Sequence, residues 1–158
     1  MKRATSLTAA AGEHYVAYRL SEMAYPVAMT RGGSPSVDIM VANLSGTTTI
    51  ALQVKTSTGA RRTYSRPGNA DKNRWEWDVG RKALELRGDS IFYAFVDLKW
   101  SAKATPDVFL VPAVIVASFL QPDWSRYMFW IMDKDAPRYQ NRWDILTERL
   151  NLHTPQEG

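Results

Sequence analysis

The chain predicts an α/β or α+β domain built on a mixed sheet, and three observations carry that prediction. Helical and strand periodicities alternate along it in the order helix, several strands, helix, strand, strand, helices. Its 158 residues, 45% apolar and 23% charged, suit one domain that buries roughly 70% of the surface its unfolded chain exposes, so it needs no metal or disulfide merely to fold. No repeat, low-complexity tract or linker divides it. Residues 1–152 therefore read as a single domain and "HTPQEG", 153–158, as a frayed tail.

After Thr5 or Ser6 as N-cap, "LTAAAGEHYVAYRLSEM" reads as a helix with Ala9, Val16, Leu20 and Met23 on one stripe, and spacings of four and three place Glu13 on it too. "AYP" ends the helix, Val27 to Met29 form a short strand, and "TRGGSPS" is a loop by composition. "VDIMVA", residues 37–42, alternates Val37, Ile39 and Val41 against Asp38, Met40 and Ala42. "NLSGT" turns the chain into "TIALQVKTS", 49–57, where Ile50, Leu52 and Val54 share a face. The other face of that strand carries Ala51, Gln53 and Lys55, and residues two apart on one face lie ~6.8 Å from each other.

The hairpin adds a third polar group. A turn centred on Ser45 and Gly46 sets Asp38 opposite Gln53, and one centred a residue later sets it opposite Lys55. Cross-strand Cβ atoms are about 5 Å apart, so either register groups the three. Further on, "DKNRWEWDVGRKALELRG" reads as an exposed segment running into a helix that stops at Gly88. "SIFYAFVDL" and "DVFLVP" are strands, "AVIVASFL" a short buried helix, "RYMFWIM" a strand, and "NRWDILTERL" a terminal amphipathic helix whose free face could serve a homodimer. Trp124, Trp130 and Trp143 stand in apolar surroundings and read as core.

Composition excludes several classes of chemistry. With no cysteine and two histidines, His14 and His153, a structural zinc site or a thiol nucleophile is ruled out, and a reducing cytoplasm is the expected compartment. The longest apolar stretch, Val108 to Leu120, is interrupted by Pro112 and falls short of the ~20 residues of a membrane span. The basic start "MKRATSLTAAAGE" has no apolar core of a signal peptide. There is no GxSxG elbow, and "TRGGSPS" lacks the ending of a phosphate loop.

The net charge of +4 is a mild indication of a polyanionic partner, but its distribution is uneven: from Lys55 to Lys82 eight basic residues meet three acidic ones. Arg61, Arg62, Arg66 and Arg74 are interleaved there with Tyr64, Trp75 and Trp77, cations for phosphate and rings for stacking, as a nucleic-acid-binding loop would have them. Trp75 and Trp77 read better as caps on the core, and His14, ~100° around the helix from Glu13, as structural.

Asp38, Gln53, Lys55 and Glu13 are the residues hardest to explain by folding alone. A carboxylate on a buried helix stripe, facing a sheet face that bears Asp and Lys, has to be paired or metal-bound, because an isolated buried charge costs several kcal/mol. One solution is a buried ion pair of Lys55 with Asp38 or Glu13, with Gln53 filling in as a hydrogen-bond partner. The other is a magnesium ion, which takes oxygen ligands and keeps several waters. Asp38, the Gln53 side-chain carbonyl, the Val54 backbone carbonyl and Glu13 through water would provide it.

"GE" on the first helix, "VDIMV" on a strand and "LQVKTS" on the next resemble the PD-(D/E)XK nuclease superfamily over about residues 9–57. The resemblance implies an α/β, restriction-endonuclease-like fold, a single domain with a central mixed sheet flanked by helices. It further implies Asp38 as the metal-binding aspartate, Gln53 at the (D/E) position, Lys55 as the motif lysine and Glu13 as the helix-borne acid. The expected activity is Mg²⁺-dependent hydrolysis of phosphodiester bonds in DNA, by endonuclease rather than exonuclease action, with Mn²⁺ as a substitute. Two positions depart from the pattern: Val37 stands where the motif has proline, and Gln53 replaces an acid, as in the QxK subset. An amide offers oxygen but no charge, so the same fold as a catalytically silent nucleic-acid-binding or partner-binding module is the alternative.

Overall fold

The computed structural model describes residues 5–31 and 37–152; the tail 153–158 and most of the "TRGGSPS" segment lie outside them. The first helix, α1 (Thr5–Glu22), starts where expected and ends in a left-handed Ala24, φ 66°. There the amides of Ala24 and Tyr25 reach back to the carbonyls of Ser21 and Leu20 and close the helix before Pro26. Its buried stripe is Thr8, Gly12, Val16 and Leu20. The expected stripe through Ala9 is off by one residue: Ala9 is exposed, and Glu13 sits half-buried at the stripe's margin.

Five strands make the central sheet, β1 (Val27–Met29), β2 (Ile39–Ala42), β3 (Thr49–Ser57), β6 (Ile91–Asp97) and β7 (Asp107–Pro112), in that spatial order. All neighbours run antiparallel except β3 and β6, which are parallel, so the sheet is mixed as the sequence predicts. The β2–β3 turn is held by Asn43, whose Oδ1 accepts from the Thr48 amide at 3.1 Å and whose Nδ2 donates to the Leu150 carbonyl at 3.3 Å, while Gly46 supplies φ 70°. That turn fixes Met40 opposite Ala51 and Ile39 opposite Leu52. Continued one residue, the register faces Asp38 with Gln53, the first of the two alternatives.

The sheet separates two apolar clusters. On one face Ile39, Val41, Ile50, Leu52, Val54, Phe92, Ala94 and Val96 pack against Val16 and Leu20 of α1 and against Leu146 and Leu150 of α3 (Asp144–Asn151). On the other, Tyr93, Phe95 and Phe109 meet α2 (Ala113–Phe119) and a second, three-stranded antiparallel sheet of β4 (Arg61–Arg62), β5 (Arg74–Asp78) and β8 (Met128–Met132). The result is a single α/β domain with a central mixed sheet flanked by helices.

The second sheet corrects two expectations. The residues from Arg61 to Lys82 are not simply a basic loop, and the helix expected up to Gly88 shrinks to a 3₁₀ turn, Arg81–Leu84. "RWEWD" has a period of two: Trp75 and Trp77 face the core opposite Ile131 and Phe129, whereas Arg74, Glu76 and Asp78 face outward. After it, Gly80 at φ 74° breaks the chain direction, Ala83 of the 3₁₀ turn is buried in the core, and Leu84 and Leu86 pack against it. Trp143 is core as expected. Trp130 faces outward beside Glu76 and stacks at 5.6 Å on Trp124, so both are only half-buried.

At Gly12, α1 comes close to β3. A Cβ added there would stand 1.8 Å from Thr56 Oγ1 and 2.8 Å from its Cβ. Gly12→Ala is therefore expected to lower stability by about 1–3 kcal/mol, the usual range for overpacking. Thr56→Ala in the same chain should recover part of the loss; additive losses in denaturant unfolding would show that the two do not press on each other.

Candidate functional site

Strand β2 begins at Ile39, and the residue before it takes up the hydrogen-bond ladder with its side chain. Asp38 donates its amide to the Leu52 carbonyl at 2.8 Å, and its Oδ2 accepts from the Val54 amide at 2.7 Å. A carboxylate bonded to a strand's amide lies in the plane of the sheet, between its faces. The N–H and C=O of one strand residue point the same way, so the Val54 carbonyl is directed to the Asp38 side.

Gln53 and Lys55 flank Val54 and point to the face of Tyr93 and Phe95, with which they are paired in parallel register. Both line a cleft of about 240 Å³ whose other wall is the 3₁₀ turn, through Gly80, Arg81 and Lys82, and whose floor includes Tyr93. Burial pushes the Tyr93 hydroxyl up to about 12, so it stays protonated and keeps a proton to donate. The Gln53 Oε1 is buried with no hydrogen-bond partner. Lys55 forms no ion pair among the described residues, with Asp38 and Glu13 likewise unpaired there. A buried Lys55 salt bridge with Gln53 as filler is thus not the arrangement the side chains adopt.

Glu13 comes from a different direction than the sequence suggested. Because α1 covers the face of Leu52, Val54 and Thr56, Glu13 lies across the sheet from Gln53 and Lys55, not over them. The apolar stripe decided this: it drew the helix onto the apolar side of β3 and left Glu13 at its edge. Burial raises the Glu13 carboxyl above its ordinary value, the Asp38 charge raises it further, and His14 slightly opposes both. Asp38 is thus the link between the two faces.

The four arginines singled out in the basic segment are used unequally. Arg61 makes a two-pronged ion pair with Asp133 and lies 4.1 Å above the Trp75 ring. Arg62 and Arg74 share Glu76 at 3.0 and 3.2 Å, and Arg74 also lies over Trp130. Arg66 is exposed with no such pair among the described residues. Sequence reading passed over Arg81, Lys82 and Tyr93. The two cations were counted in the basic excess, but only the parallel β3–β6 register and the turn at Gly80 bring them to Gln53 and Lys55, and neither has a local signature.

The oxygen donors fit a hard divalent cation: a buried amide oxygen without a partner beside an aspartate, a backbone carbonyl on the same side, and a second carboxylate that the first one repels. Among the described residues there is no cluster of three His, Cys, Asp or Glu side chains, so any such ion would rely on the amide, the carbonyl and water.

The chain is similar to a bacterial homing endonuclease, I-Ssp6803I, over 94% of this chain and 95% of that one, with a TM-score of 0.58 at 16% sequence identity, a likeness of fold. No protein-family model and no curated protein matches it. No helix among the described residues is long and apolar enough to cross a membrane.

The Glu13 shift gives a pH prediction. A carboxyl raised on folding contributes stability that is fully present below its unfolded value and is lost as pH rises through the folded one. Stability of the wild type relative to Glu13→Gln should accordingly fall as pH climbs above about 4.5. Carbon-13 titration of Glu13 should show its midpoint drop in Asp38→Asn while staying above the ordinary value, since burial is the larger cause; an unmoved midpoint would separate the two carboxylates.

Proposed function

We propose that the protein is a Mg²⁺-dependent endonuclease of the PD-(D/E)XK type, QxK variant, acting on DNA. The observation that carries this reading is the unpartnered Gln53 amide oxygen beside Asp38, in a cleft with an unpaired Lys55, on a fold like that of a homing endonuclease. Asp38, Gln53 and the Val54 carbonyl, with Glu13 through water, would hold Mg²⁺ or Mn²⁺. Bound there, the ion supplies Lewis-acid polarisation of a phosphoryl oxygen and a water of lowered pKa.

The chain's own groups do the rest. Lys55 offsets the charge that builds on the pentacovalent phosphorus and orients the attacking water. Tyr93, protonated throughout the physiological range, donates from the cleft floor. Asp38, fixed by the Val54 amide, does not have to be ordered when substrate arrives. Glu13 orients water from the opposite face.

A second reading, a catalytically silent DNA-binding module of the same fold, draws on the lack, among the described residues, of any group of three His, Cys, Asp or Glu side chains placed to hold a metal. Cleavage assays separate the two. Purified protein with Mg²⁺ or Mn²⁺ should cut DNA, and Lys55→Ala and Asp38→Ala should each cut at least ~10²-fold more slowly while keeping a native melting transition. Gln53→Glu should reach half-maximal cleavage at about tenfold lower Mg²⁺, because it adds a charge at the metal. Wild-type rates in both alanine variants would end the nuclease assignment, and salt-sensitive DNA binding without Mg²⁺ uptake in calorimetry would establish the silent module.

A further inference from the structure

We infer that Arg81 and Lys82 form a phosphate subsite on the wall of the cleft across from Lys55, which grips a DNA phosphodiester next to the one under attack. The inference rests on the nuclease or DNA-binding reading above and assigns a role to residues that the motif does not contain.

The charge of the cleft is the first argument. Its lining residues include three cations, Lys55, Arg81 and Lys82, and no carboxylate, so a polyanion entering it meets attraction on both walls. The second is availability. Arg61, Arg62 and Arg74 are each held by Asp133 or Glu76, whereas Arg81 and Lys82 are exposed and form no ion pair with any described residue. Their charge is therefore free to meet a phosphate without first breaking an internal pair.

The third argument is position. The 3₁₀ turn is anchored on both sides: the Gly80 amide donates to Asp78 Oδ1 at 3.2 Å, and Ala83 is buried in the core. Gly80 at φ 74° is the residue that sends the chain along the cleft instead of onward from β5. Two flexible cations are thus carried on a fixed backbone directly opposite the strand that bears Gln53 and Lys55.

The test is the salt dependence of duplex DNA binding, read by fluorescence anisotropy in EDTA so that cleavage does not intervene. Four proteins are compared: wild type, Arg81→Ala with Lys82→Ala, Lys55→Ala, and a charge-matched control, Lys134→Ala with Arg138→Ala, whose exposed side chains form no ion pair with any described residue and do not line the cleft. Each lost phosphate contact removes ~0.9 from the slope of log affinity against log salt. The Arg81/Lys82 variant, which loses its hold on one phosphate, should consequently show a slope shallower by about 1, with the control unchanged.

A slope equal to wild type, or an equal fall in the control, overturns the subsite and leaves the nuclease reading standing. The expected slope change in a protein that never cuts DNA supports the subsite and removes the nuclease. Wild-type binding with no salt dependence overturns both. Melting curves show whether the exposed substitutions leave the fold intact.

Discussion

The hydrogen bond from the Val54 amide to Asp38 Oδ2 organises the whole site. At 2.7 Å it replaces, with a side chain, the ladder bond that β2 would have made had it continued. A hydrogen bond to a charged group contributes roughly 1.5–3 kcal/mol, enough to hold Asp38 in one position in the plane of the sheet. From that position its charge reaches Glu13 across one face, while Gln53 and Lys55 rise from the other. Leaving a buried amide oxygen unbonded costs about 1–3 kcal/mol, a similar amount of opposite sign. The local geometry is well fixed, yet it is not the arrangement that would maximise stability.

The sheet's two-sided burial explains why so few positions were available for this chemistry. Strand β6, "IFYAFVD", is buried on nearly every residue because helices cover one face and α2 with the second sheet covers the other. Its neighbour β3 alternates buried with half-buried residues, since the second sheet leaves the end near Gln53 and Lys55 uncovered. The cleft is the gap between that uncovered stretch and the turn after β5. Polar groups are tolerated where the second layer stops, and the aromatic packing of Trp77 on Phe95 and Phe109 marks where it begins.

Much of this was legible because the signals are local. Alternation shows in β2 and β3, β6 and β7 are apolar runs, and the turn at Ser45 and Gly46 narrows the Asp38 register to two choices, of which the Asn43 bonds select one. The side of the sheet taken by Glu13 was not legible. α1 as a whole packs on the face of Leu52 and Val54, a long-range choice that no local spacing encodes, and the buried stripe through Gly12 leaves the next residue, ~100° around the helix, at its margin. The β5 strand was missed because "RWEWD" carries charge on alternate residues and so looked solvated, although its tryptophans share the inner face. The pairing of Arg61 with Asp133 and of Arg62 with Glu76 joins residues far apart in sequence, which no spacing rule relates.

Gln53 shapes the electrostatics as much as it limits them. A carboxylate in its place would stand ~6.8 Å along the strand from Lys55, close enough at an effective dielectric near 20 to attract the ammonium by about 2 kcal/mol. Much of the Lys55 charge would then be compensated internally before any ligand arrived. With an amide there, Lys55 keeps its full charge, and with Arg81 and Lys82 it makes the cleft positive on both walls. The carboxylates, Asp38 and Glu13, stay outside the cleft lining, one in the sheet plane and one beyond it. Substituting amide for acid thus weakens the pull on a cation and strengthens the pull on a phosphate. On the proposed nuclease reading, that is the balance of a site whose polyanionic substrate would help to bring the ion in.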